Sequence, residues 1–429
     1  MGDRKPILKE KESNTESFIE DLRLHSRFKK TCVPFQILGQ GGDGLVRKCI
    51  HEPTGRAVAM KIPIDQDEVT RKRLMNEVRN LKIVGNHEHV LGMLTYSPYY
   101  PFTYPAIFFP LCDLGDLFAY VKKWQKQETN NGRPRRIPEL TVWKLFRDMA
   151  LALDHLHNKL GTCYVHQDLK PDNILVREPE GYIQGELVPV EPIFVICDFA
   201  RLVPHPTPRG VIAQYWNGTP EFSPPMAERK MPVHPSGDIW SLGLTIQAFA
   251  LDIIPRQSRP AFIADRKKLG LPYPDINDDK KWKEPLWRDQ VPSLYRPLNV
   301  SGDELTAKYD VPEALCDCCY WPFSSQLNEW YKRLLEPNPK VRITSSDLVK
   351  DLIPRIDQVM VVLRKEEFEE DCTKEVEVIQ AEPLTIEDDE SHVKDEEPQI
   401  LDVRRVWKSW HDSKAPSYEG NSYGCSYSR

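Results

Sequence analysis

The hydrophobic pattern divides the chain into a strand-rich first part and a helix-rich second part. From about residue 33, apolar and β-branched residues alternate with polar ones, which predicts strands. Two of these runs, residues 45–50 and 57–63, flank a Pro-Thr-Gly turn and predict an antiparallel hairpin. Shorter apolar runs near residues 90–96 and 106–112 complete a small predicted sheet.

Apolar residues at helical spacing predict one helix within this sheet region and several beyond it. Residues 67–84 are typical of an amphipathic helix, with charged residues opposite an apolar face made of Val69, Leu74, Val78 and Leu81. After Asp113 the chain is mainly helical, and the clearest segments are residues 115–126, 139–160, 237–252 and 325–335.

Changes in composition predict the domain boundaries. We expect a charged leader over residues 1–32, a strand-rich unit over 33–112, a helical unit over 113–363 and an acidic, largely disordered tail over 364–429. The helical unit carries predicted insertions near residues 127–138, 178–192 and 254–314. The hydrophobic pattern of the last insertion does not determine its structure.

The net charge of the 429-residue chain is −6, but it is unevenly distributed. Residues 364–397 contain 15 acidic and 4 basic residues, so the remainder carries about +5. A mildly basic body suits anionic ligands better than bulk nucleic acid. The basic residues do not form a stripe interleaved with aromatic residues, so the sequence does not predict nucleic-acid binding.

The sequence indicates an intracellular protein, cytoplasmic or nuclear, that does not associate with a membrane. The first residues lack the apolar core of a signal peptide, and no apolar run reaches about 18 residues. Ten cysteines without paired spacing fit reduced thiols inside a cell. Cys316, Cys318 and Cys319 form one local group, but without a second pair or a nearby histidine, packing is favoured over zinc binding.

A glycine-rich turn precedes the predicted hairpin and is the first candidate binding element. Gly39, Gly41 and Gly44 would let backbone N–H groups approach phosphate oxygens without interference from a Cβ atom. A dinucleotide-binding fold would require a helix directly afterwards, whereas this turn is followed by strands. Taken alone, the segment is also compatible with a simple flexible turn.

Lys61 is a cation inside the otherwise apolar run of residues 57–63. A lysine in such a place is costly to bury unless it is paired. The following predicted helix offers Glu77, on the face shared with Leu74 and Leu81. A Lys61–Glu77 ion pair would direct the ammonium group towards nucleotide phosphates. The alternative is a solvated lysine on an edge strand.

The segment Tyr164–Val176 concentrates polar groups of different chemistry in one short loop. Asp168 can accept a hydroxyl proton, Lys170 can neutralise charge on a transferring phosphate, and Asn173 offers a hard oxygen ligand for magnesium. Asp198, at the end of an apolar run, can bridge the metal to phosphates. Either aspartate alone could be a capping or turn residue, but the four together favour phosphoryl transfer.

In this order the motifs resemble those of the eukaryotic-type protein kinases, and the resemblance covers roughly residues 33–355. It rests on the glycine-rich turn, Val58-Ala-Met-Lys61, the H-x-D-x-x-x-x-N loop and Asp198-Phe-Ala. Further downstream, Gly218-Thr-Pro-Glu-Phe222 resembles the end of an activation segment, Asp238-Ile-Trp-Ser-Leu-Gly243 resembles the helix that anchors the catalytic loop, and Arg342 resembles a late structural arginine.

The resemblance implies an α+β fold with two lobes, a small antiparallel-sheet lobe and a larger, mainly helical lobe. It also implies a serine/threonine protein kinase that uses ATP and Mg²⁺ and acts on a protein hydroxyl. Its regulatory partners are not identified by the sequence. The implied catalytic base is Asp168, Lys170 is typical of Ser/Thr specificity, and the implied metal ligands are Asn173 and Asp198.

The resemblance also implies a nucleotide site between the two lobes. Lys61 and Glu77 would form the phosphate-positioning pair, and Asp116 would meet the ribose. Phe109 resembles the residue that precedes a hinge of Pro110, Leu111 and Cys112. The remaining implied contacts to ATP are Leu38, Gly39, Gly41, Gly44, Val46, Ala59 and Leu175.

Three residues depart from the family pattern. Gln167 replaces the arginine that binds a phosphorylated activation-loop residue in many relatives, which predicts activity without strong dependence on that phosphorylation. Ala200 replaces glycine and should disfavour conformations with positive φ by roughly 1 kcal/mol or more. Met226 replaces the glutamate that would pair with Arg342, and Glu228 is a possible substitute.

Two other functions compete with an active protein kinase. These departures would suit a pseudokinase that acts as an ATP-binding or scaffold module, although Lys61, Asp168, Asn173 and Asp198 are all retained. A kinase for small molecules would share a similar Asp/Asn loop, but Lys170 and the 218–243 segments favour a protein substrate.

Overall fold

Over the residues that the structure describes, five strands and helix α1 (Glu68–Val84) build the N-terminal lobe. The computed structural model describes residues 29–41, 44–65, 67–98, 104–127, 136–182, 187–312 and 322–365. The strands are β1 (Cys32–Gly41), β2 (Gly44–His51), β3 (Arg56–Ile62), β4 (Thr95–Ser97) and β5 (Ala106–Pro110), in the antiparallel order β1-β2-β3-β5-β4. Helix α1 (Glu68–Val84) begins where the Asp67 side chain accepts a hydrogen bond from the backbone N–H of Thr70.

Helices dominate the C-terminal lobe. They are α2 (Leu117–Gln125), α3 (Glu139–Asp154), α4 (Met226–Arg229), α5 (Ser236–Leu251), α6 (Arg259–Lys268), α7 (Asp279–Lys283), α8 (Pro285–Arg288), α9 (Gly302–Lys308), α10 (Ser325–Leu334) and α11 (Ser345–Asp347). A π-helical turn, His155–Lys159, extends α3, and another, Leu348–Leu352, follows α11 and leads into helical residues 353–365. Together with the sheet lobe, this confirms the predicted two-lobed α+β fold.

Two small antiparallel sheets in the C-terminal lobe carry the segments that position the site. One contains β6 (Gly115–Asp116), β8 (Ile174–Arg177) and β9 (Ile193–Ile196) in the order β6-β8-β9, and the other pairs β7 (Cys163–Val165) with β10 (Val203–His205). Short 3-10 turns follow at Pro171–Asn173, Phe199–Arg201 and Pro220–Phe222. The polar loops of the site therefore begin and end on strands that are fixed in register.

A continuous apolar core joins the two lobes. It includes Leu74, Val78 and Leu81 of α1 together with buried residues of α2, α3, α5, α10 and strands β8 and β9. A second cluster, which contains Cys49, Met60 and Phe108, lies in the sheet of the N-terminal lobe. Burial of these apolar faces is the main stabilising contribution to such a fold.

The predicted insertion at 254–314 is structured over the residues described. It contains α6 to α9 and has its own small apolar cluster of Phe262, Ile263, Trp282 and Val291, with Trp287 packed against it. Hydrophobic periodicity misses this region because its helices are short, and in α6, α7 and α8 a single aromatic residue, Phe262, Trp282 or Trp287, carries much of the packing.

Several expectations differ from the structure in detail. Val69 is exposed rather than on the buried face of α1, because it lies five residues before Leu74 and therefore about 140° away from it around the helix, whereas Thr70 of the same turn is buried. The alternating apolar residues of β1 form a strand, but Val33, Phe35, Ile37 and Leu38 are exposed on the edge of the sheet.

Two further predicted segments differ from the structure, one in extent and one in helix type. In the apolar run at 90–96 only the end enters β4, because Leu91 donates its backbone N–H to the Ile196 carbonyl of β9 instead. The helix predicted at 139–160 extends to Lys159, and its last turn, His155–Lys159, is π-helical rather than α-helical.

The predicted leader up to residue 28, the tail from residue 366, residues 128–135 and 183–186 of two insertions, and the Cys316–Cys319 group lie outside the described residues. Among the residues that are described, no helix is long and apolar enough to cross a membrane.

Candidate active site

Lys61 lies at the centre of a buried ion-pair network between the lobes. Its Nζ atom is 2.7 Å from Oε2 of Glu77 on α1 and 3.1 Å from Oδ1 of Asp198. Burial alone would lower the pKa of Lys61, but Asp198 and Glu77 outweigh it and raise that pKa above its ordinary value. The structure therefore contains the predicted Lys61–Glu77 pair, and Lys61 is a permanent cation.

Asp198 remains ionised despite its burial. Desolvation would raise its pKa, but the charge and hydrogen bond of Lys61 lower the pKa below its usual value. The residue adopts φ 64° and ψ 74°, a left-handed conformation that aspartate tolerates better than most residues. Next to it, the carbonyl oxygen of Phe199 accepts a 2.7 Å hydrogen bond from Asn80 Nδ2, which ties this segment to α1.

Asp238, which is fully buried on α5, anchors the loop that begins at His166 by binding backbone N–H groups of that loop. Its Oδ2 accepts from the N–H of His166 at 2.8 Å and its Oδ1 from the N–H of Gln167 at 2.9 Å. His157 Nε2 is 3.0 Å from Oδ2 as well. Backbone N–H groups that bind a rigid carboxylate fix the direction in which the following side chains point.

Asp168 is surrounded by donors and cations. Its Oδ1 accepts from both the N–H and the hydroxyl of Thr219, each at 2.7 Å. Its Oδ2 accepts from Asn173 Nδ2 at 3.2 Å and lies 3.8 Å from Lys170 Nζ. Arg201 Nη1 is 3.6 Å from Oδ1. This arrangement orients a carboxylate that can receive a hydroxyl proton and places cations where negative charge would accumulate.

Gln167 joins the two ends of the segment between Phe199 and Phe222. Its Nε2 donates to the Arg201 carbonyl at 2.7 Å, and its Oε1 accepts from the Asn217 N–H at 3.3 Å. The residue is buried and has φ 69°. The backbone also approaches closely, since a Cβ atom on Gly218 would lie 2.0 Å from the Gln167 carbonyl oxygen.

The residues expected to contact ATP lie on neighbouring strands and on the segment after β5. Val46 pairs with Lys61, Ala59 pairs with Phe109, and Leu175 pairs with Asp116. The remaining predicted contacts lie on β1 (Leu38, Gly39, Gly41), on β2 (Gly44) and just after β5 (Cys112). Strand register therefore brings them together in pairs, and their contact with adenine or phosphate stays a prediction.

Two of these residues have additional chemistry. Asp116 accepts a 2.8 Å hydrogen bond from the Ala119 N–H and caps α2, so one carboxylate oxygen is used structurally and the predicted ribose contact stays a prediction. Burial raises the pKa of the Cys112 thiol to about 12, which keeps this thiol protonated at neutral pH.

Asn173 and Asp198 fit the requirements of a magnesium site. Asn173 uses its amide nitrogen to donate to the Asp168 carbonyl at 2.8 Å, which leaves its amide oxygen to bind a cation. The Asn173 carbonyl accepts from the Cys197 N–H at 2.9 Å, so the two predicted ligands lie on segments that are directly bonded. One amide oxygen and one ionised carboxylate are the hard donors that Mg²⁺ prefers when phosphates and water complete its shell.

Ala200 and Glu228 show how the structure accommodates two departures. Ala200 lies in the right-handed 3-10 turn Phe199–Arg201, so this conformation makes no demand for positive φ there. Glu228 accepts from Arg342 Nη1 at 3.1 Å and from Nη2 at 2.9 Å, so it replaces the carboxylate missing at Met226. The predicted Glu228–Arg342 contact is confirmed.

Sequence reasoning missed three contributors to the site. In the sequence Thr219 is recognisable only as part of the motif Gly218–Phe222, and its position directly after Gly218 is the one feature that could have indicated a role in the site. Asn80 and Arg201 have no local pattern that distinguishes them, because their partners Phe199 and Asp168 are distant along the chain.

Comparisons with known proteins identify the domain in which these residues lie. A model of the protein kinase domain matches residues 33–352. The mitosis inhibitor protein kinase wee1 of Schizosaccharomyces pombe is 28% identical over 184 residues, which are 43% of this chain and 18% of that protein. The dual specificity mitogen-activated protein kinase kinase 1 of Dictyostelium discoideum is 29% identical over 225 residues, 51% of this chain and 29% of that protein.

Another relative, the serine/threonine-protein kinase ATG1 of Debaryomyces hansenii, is 25% identical over 271 residues, 57% of this chain and 29% of that protein. The matched region spans less than a third of the length of each of these relatives.

Proposed function

The chain belongs to the protein kinase family, and from this premise we propose that it transfers the γ-phosphoryl group of ATP to a serine or threonine hydroxyl of a protein. The observation that carries the proposal is that the Lys61–Glu77–Asp198 network and the Asp168–Thr219 contact are formed together in one structure. Positioning and charge stabilisation, which supply most of the rate in phosphoryl transfer, need these groups in place at the same time.

In the proposed reaction Asp168 orients the acceptor hydroxyl and takes its proton as the oxygen attacks the γ-phosphorus. The bond between that phosphorus and the β,γ-bridging oxygen breaks, and ADP leaves with the electron pair. Lys61 binds phosphate oxygens of the nucleotide, and Lys170 neutralises charge on the group in transit. Bound Mg²⁺, held by Asn173 and Asp198, would supply further charge neutralisation at the phosphates.

We also propose that activity does not depend strongly on phosphorylation of the activation segment, here defined as residues 198–226. The support is that Gln167 already joins Arg201 to Asn217 by hydrogen bonds from one uncharged side chain. An arginine at this position would need an anionic partner to be stable. The uncharged carboxamide removes that requirement.

Specificity for Ser/Thr rather than Tyr is supported by Lys170, whose Nζ is 3.8 Å from Asp168 Oδ2. The pseudokinase alternative has lost part of its motivation, because Ala200 lies in a turn that suits it and Glu228 serves Arg342. One direct assay distinguishes an active Ser/Thr kinase from a pseudokinase.

The test is transfer of label from [γ-³²P]ATP to otherwise identical peptides with Ser, Thr or Tyr as acceptor. We expect Mg²⁺-dependent labelling of the Ser and Thr peptides, a loss of more than about 100-fold in Asp168→Asn and Lys61→Met, and little change after phosphatase treatment. If wild type and Asp168→Asn both label the peptides only at the background level, the proposed kinase activity is refuted. A steep loss after phosphatase treatment would refute independence from phosphorylation.

A further inference from the structure

A cluster of arginines lies beside the activation segment and has no role in the reaction described above. It consists of Arg229 at the end of α4, Arg256 after α5 and Arg288 at the end of α8, and it is faced by Glu221 and Asp289. We refer to these five residues as the arginine cluster. Three cations face two carboxylates, so the cluster carries a net positive charge.

The three guanidinium groups are unequally satisfied. Arg288 binds Glu221 in a bidentate manner, with Nε and Nη2 each 2.7 Å from a carboxylate oxygen. Arg256 reaches Glu221 only at 3.5 Å. Arg229 lies 3.6 Å from the Asp289 carboxylate and donates from Nη2 to the Asp289 carbonyl over a long 3.4 Å. Among the described residues, the Nε atoms of Arg229 and Arg256 have no hydrogen-bond partner. Buried polar groups without partners are uncommon in folded proteins.

Electrostatics also point to an uncompensated positive site. The Arg256 side chain is 10% exposed, and burial, with the neighbouring charges of Arg288 and Arg229, lowers its pKa to about 10. Burial likewise lowers the pKa of Arg229. An anion bound here would reduce the repulsion among the three cations, and it would gain from the low local dielectric.

The backbone holds the cluster rigidly. Arg256 forms an isolated antiparallel bridge with Ser293, and its carbonyl accepts from Nη2 of the buried Arg296 at 2.9 Å. Arg288 ends a helix whose first residue is a proline. A preorganised cation site binds an anion with little additional cost in side-chain ordering.

The cluster lies next to the catalytic carboxylate. Glu221 is two residues from Thr219, which donates both its N–H and its hydroxyl to Asp168. The hydrogen bond with Glu221 raises the pKa of Arg288, and the negative charge of Asp168 raises it further. Arg288 therefore interacts electrostatically with the proposed catalytic carboxylate. Two extended residues span at most about 7 Å, so a peptide whose hydroxyl meets Asp168 has neighbouring residues within reach of the cluster.

Building on the proposed kinase activity, we propose that the arginine cluster is a specificity site for an anionic side chain close to the acceptor residue of the protein substrate. The anion is a carboxylate or a phosphate group, since both match the planar donors of arginine. Within the protein, Glu221 competes with this anion for Arg288 and holds that side chain in place before the substrate binds.

The test uses a neutral reference peptide with one threonine acceptor, in which aspartate is placed in turn at each position from −4 to +4. We expect aspartate at one or two adjacent positions to raise kcat/KM by about 10-fold, and lysine there to lower it. Phosphoserine at the same position distinguishes the two anions, since a gain above that of aspartate identifies a phosphate site. A gain equal to or below that of aspartate identifies a carboxylate site.

The variants of the site are Arg256→Met and Arg256→Lys. The matched control is Lys308→Met, which removes an equal charge from α9 in the same insertion. Arg256→Met should reduce the ratio between acidic and neutral peptides to about 1 and leave the neutral peptide within about 2-fold. Arg256→Lys should restore part of the ratio, and Lys308→Met should keep all of it. An unchanged ratio in Arg256→Met, or equal kcat/KM for all wild-type peptides, would overturn the proposal.

A binding experiment separates this proposal from the kinase activity on which it rests. Fluorescently labelled peptides with alanine in place of the acceptor are titrated with the full chain, and anisotropy is followed at low and high salt. We expect tighter binding of the acidic peptide at low salt, and loss of that preference in Arg256→Met. A preference for the acidic peptide in binding, without phosphate transfer, would refute the proposed kinase activity and support the anion site. Phosphate transfer without that preference would support the kinase activity and refute the anion site.

Discussion

Thr219 and Asp168 are joined by two hydrogen bonds to one atom. The backbone N–H and the hydroxyl of Thr219 both donate to Oδ1 of Asp168, each over 2.7 Å, across 51 residues of sequence. The other oxygen, Oδ2, is oriented by Asn173 at 3.2 Å. The activation segment thus fixes the rotamer of the proposed base, so its conformation and the catalytic geometry are coupled.

We predict that Thr219→Val lowers kcat by about 10- to 100-fold, because it removes a hydrogen bond to a charged acceptor worth about 1.5–3 kcal/mol. The KM for ATP should change little, since Thr219 contacts Asp168 rather than the expected nucleotide residues. Steady-state kinetics with a threonine peptide measures both constants. Thr219→Ser keeps the hydroxyl and should stay within about 3-fold of wild type. Equal kcat values for Thr219→Val and wild type would contradict this role.

A second prediction concerns Gln167, which bridges Arg201 and Asn217. Gln167→Ala removes both bridging hydrogen bonds, so the activation segment should loosen and kcat should fall by about 10-fold. Limited proteolysis should then cleave between residues 201 and 217 faster than in wild type. Gln167→Glu keeps an acceptor for Asn217 but cannot donate to Arg201, so it should be impaired as well.

The matched control for this experiment is Gln125→Ala, since Gln125 also makes a side-chain hydrogen bond, to Asp252 at 2.9 Å, but on the surface and away from the site. It should resemble wild type in rate and in cleavage. Wild-type activity and cleavage in Gln167→Ala would show that the two hydrogen bonds do not order the segment.

The sequence predicted the site better than it predicted the surroundings of the site. Lys61, Glu77 and Asp198 stand out as polar residues in or beside apolar patterns, and Asp168 and Asn173 stand out in one dense polar loop. All five lie at spacings that resemble a known family. Their geometry depends on long-range partners that leave no local pattern. Nothing near Asn80 in the sequence indicates that it donates to the Phe199 carbonyl, 119 residues away.

The same limit explains why the arginine cluster was not predicted. Arg256 and Arg288 lie in the region whose hydrophobic pattern was uninformative, and each is an ordinary charged residue in its local context. Only folding brings them to Glu221, which the sequence shows merely as part of a motif. Periodicity reports on burial of apolar faces, whereas sites made of charges depend on tertiary contacts.

A third prediction concerns the pair Glu228–Arg342. The Arg342 side chain is 0% exposed and loses its only carboxylate partner among the described residues in Glu228→Ala, although it keeps its bonds to the carbonyls of Ser236 and Glu336. Removing one partner of a buried ion pair typically costs about 3–5 kcal/mol. Thermal or urea unfolding should show a stability loss of that order.

The control for this variant is Glu304→Ala, because Glu304 forms a surface ion pair with Lys308 and should contribute less than about 1 kcal/mol. Equal unfolding free energies for Glu228→Ala and Glu304→Ala would mean that Glu228 does not replace the carboxylate missing at Met226.

The last prediction concerns pH and the loop between α1 and β4. Burial lowers the pKa of His87 and of His89 to about 4, and burial raises the pKa of Asp148, 3.5 Å from His89, to about 6. Lys144 and Arg147 of α3 face Asp148, and Glu88 lies beside His89. A depressed histidine pKa stabilises the folded protein above pH 6.5, and this stability is lost as pH falls towards 4. Asp148 acts in the opposite sense, because the folded state retains its proton up to a higher pH than the unfolded state does.

Between pH 6.5 and 4 the unfolded chain therefore binds up to two histidine protons, while the folded protein binds up to one at Asp148. A net difference of one proton corresponds to a loss of about 1.4 kcal/mol in the free energy of unfolding per pH unit on acidification. We expect a smaller loss than this upper bound, because His87 is only half-buried and solvent screens its charge. Urea unfolding at pH 7, 6 and 5 measures the slope. The double variant His87→Gln/His89→Gln lacks the histidine contribution. Its plot of unfolding free energy against pH should therefore be flatter than that of wild type or have the opposite slope. Parallel slopes for the two proteins would refute this assignment.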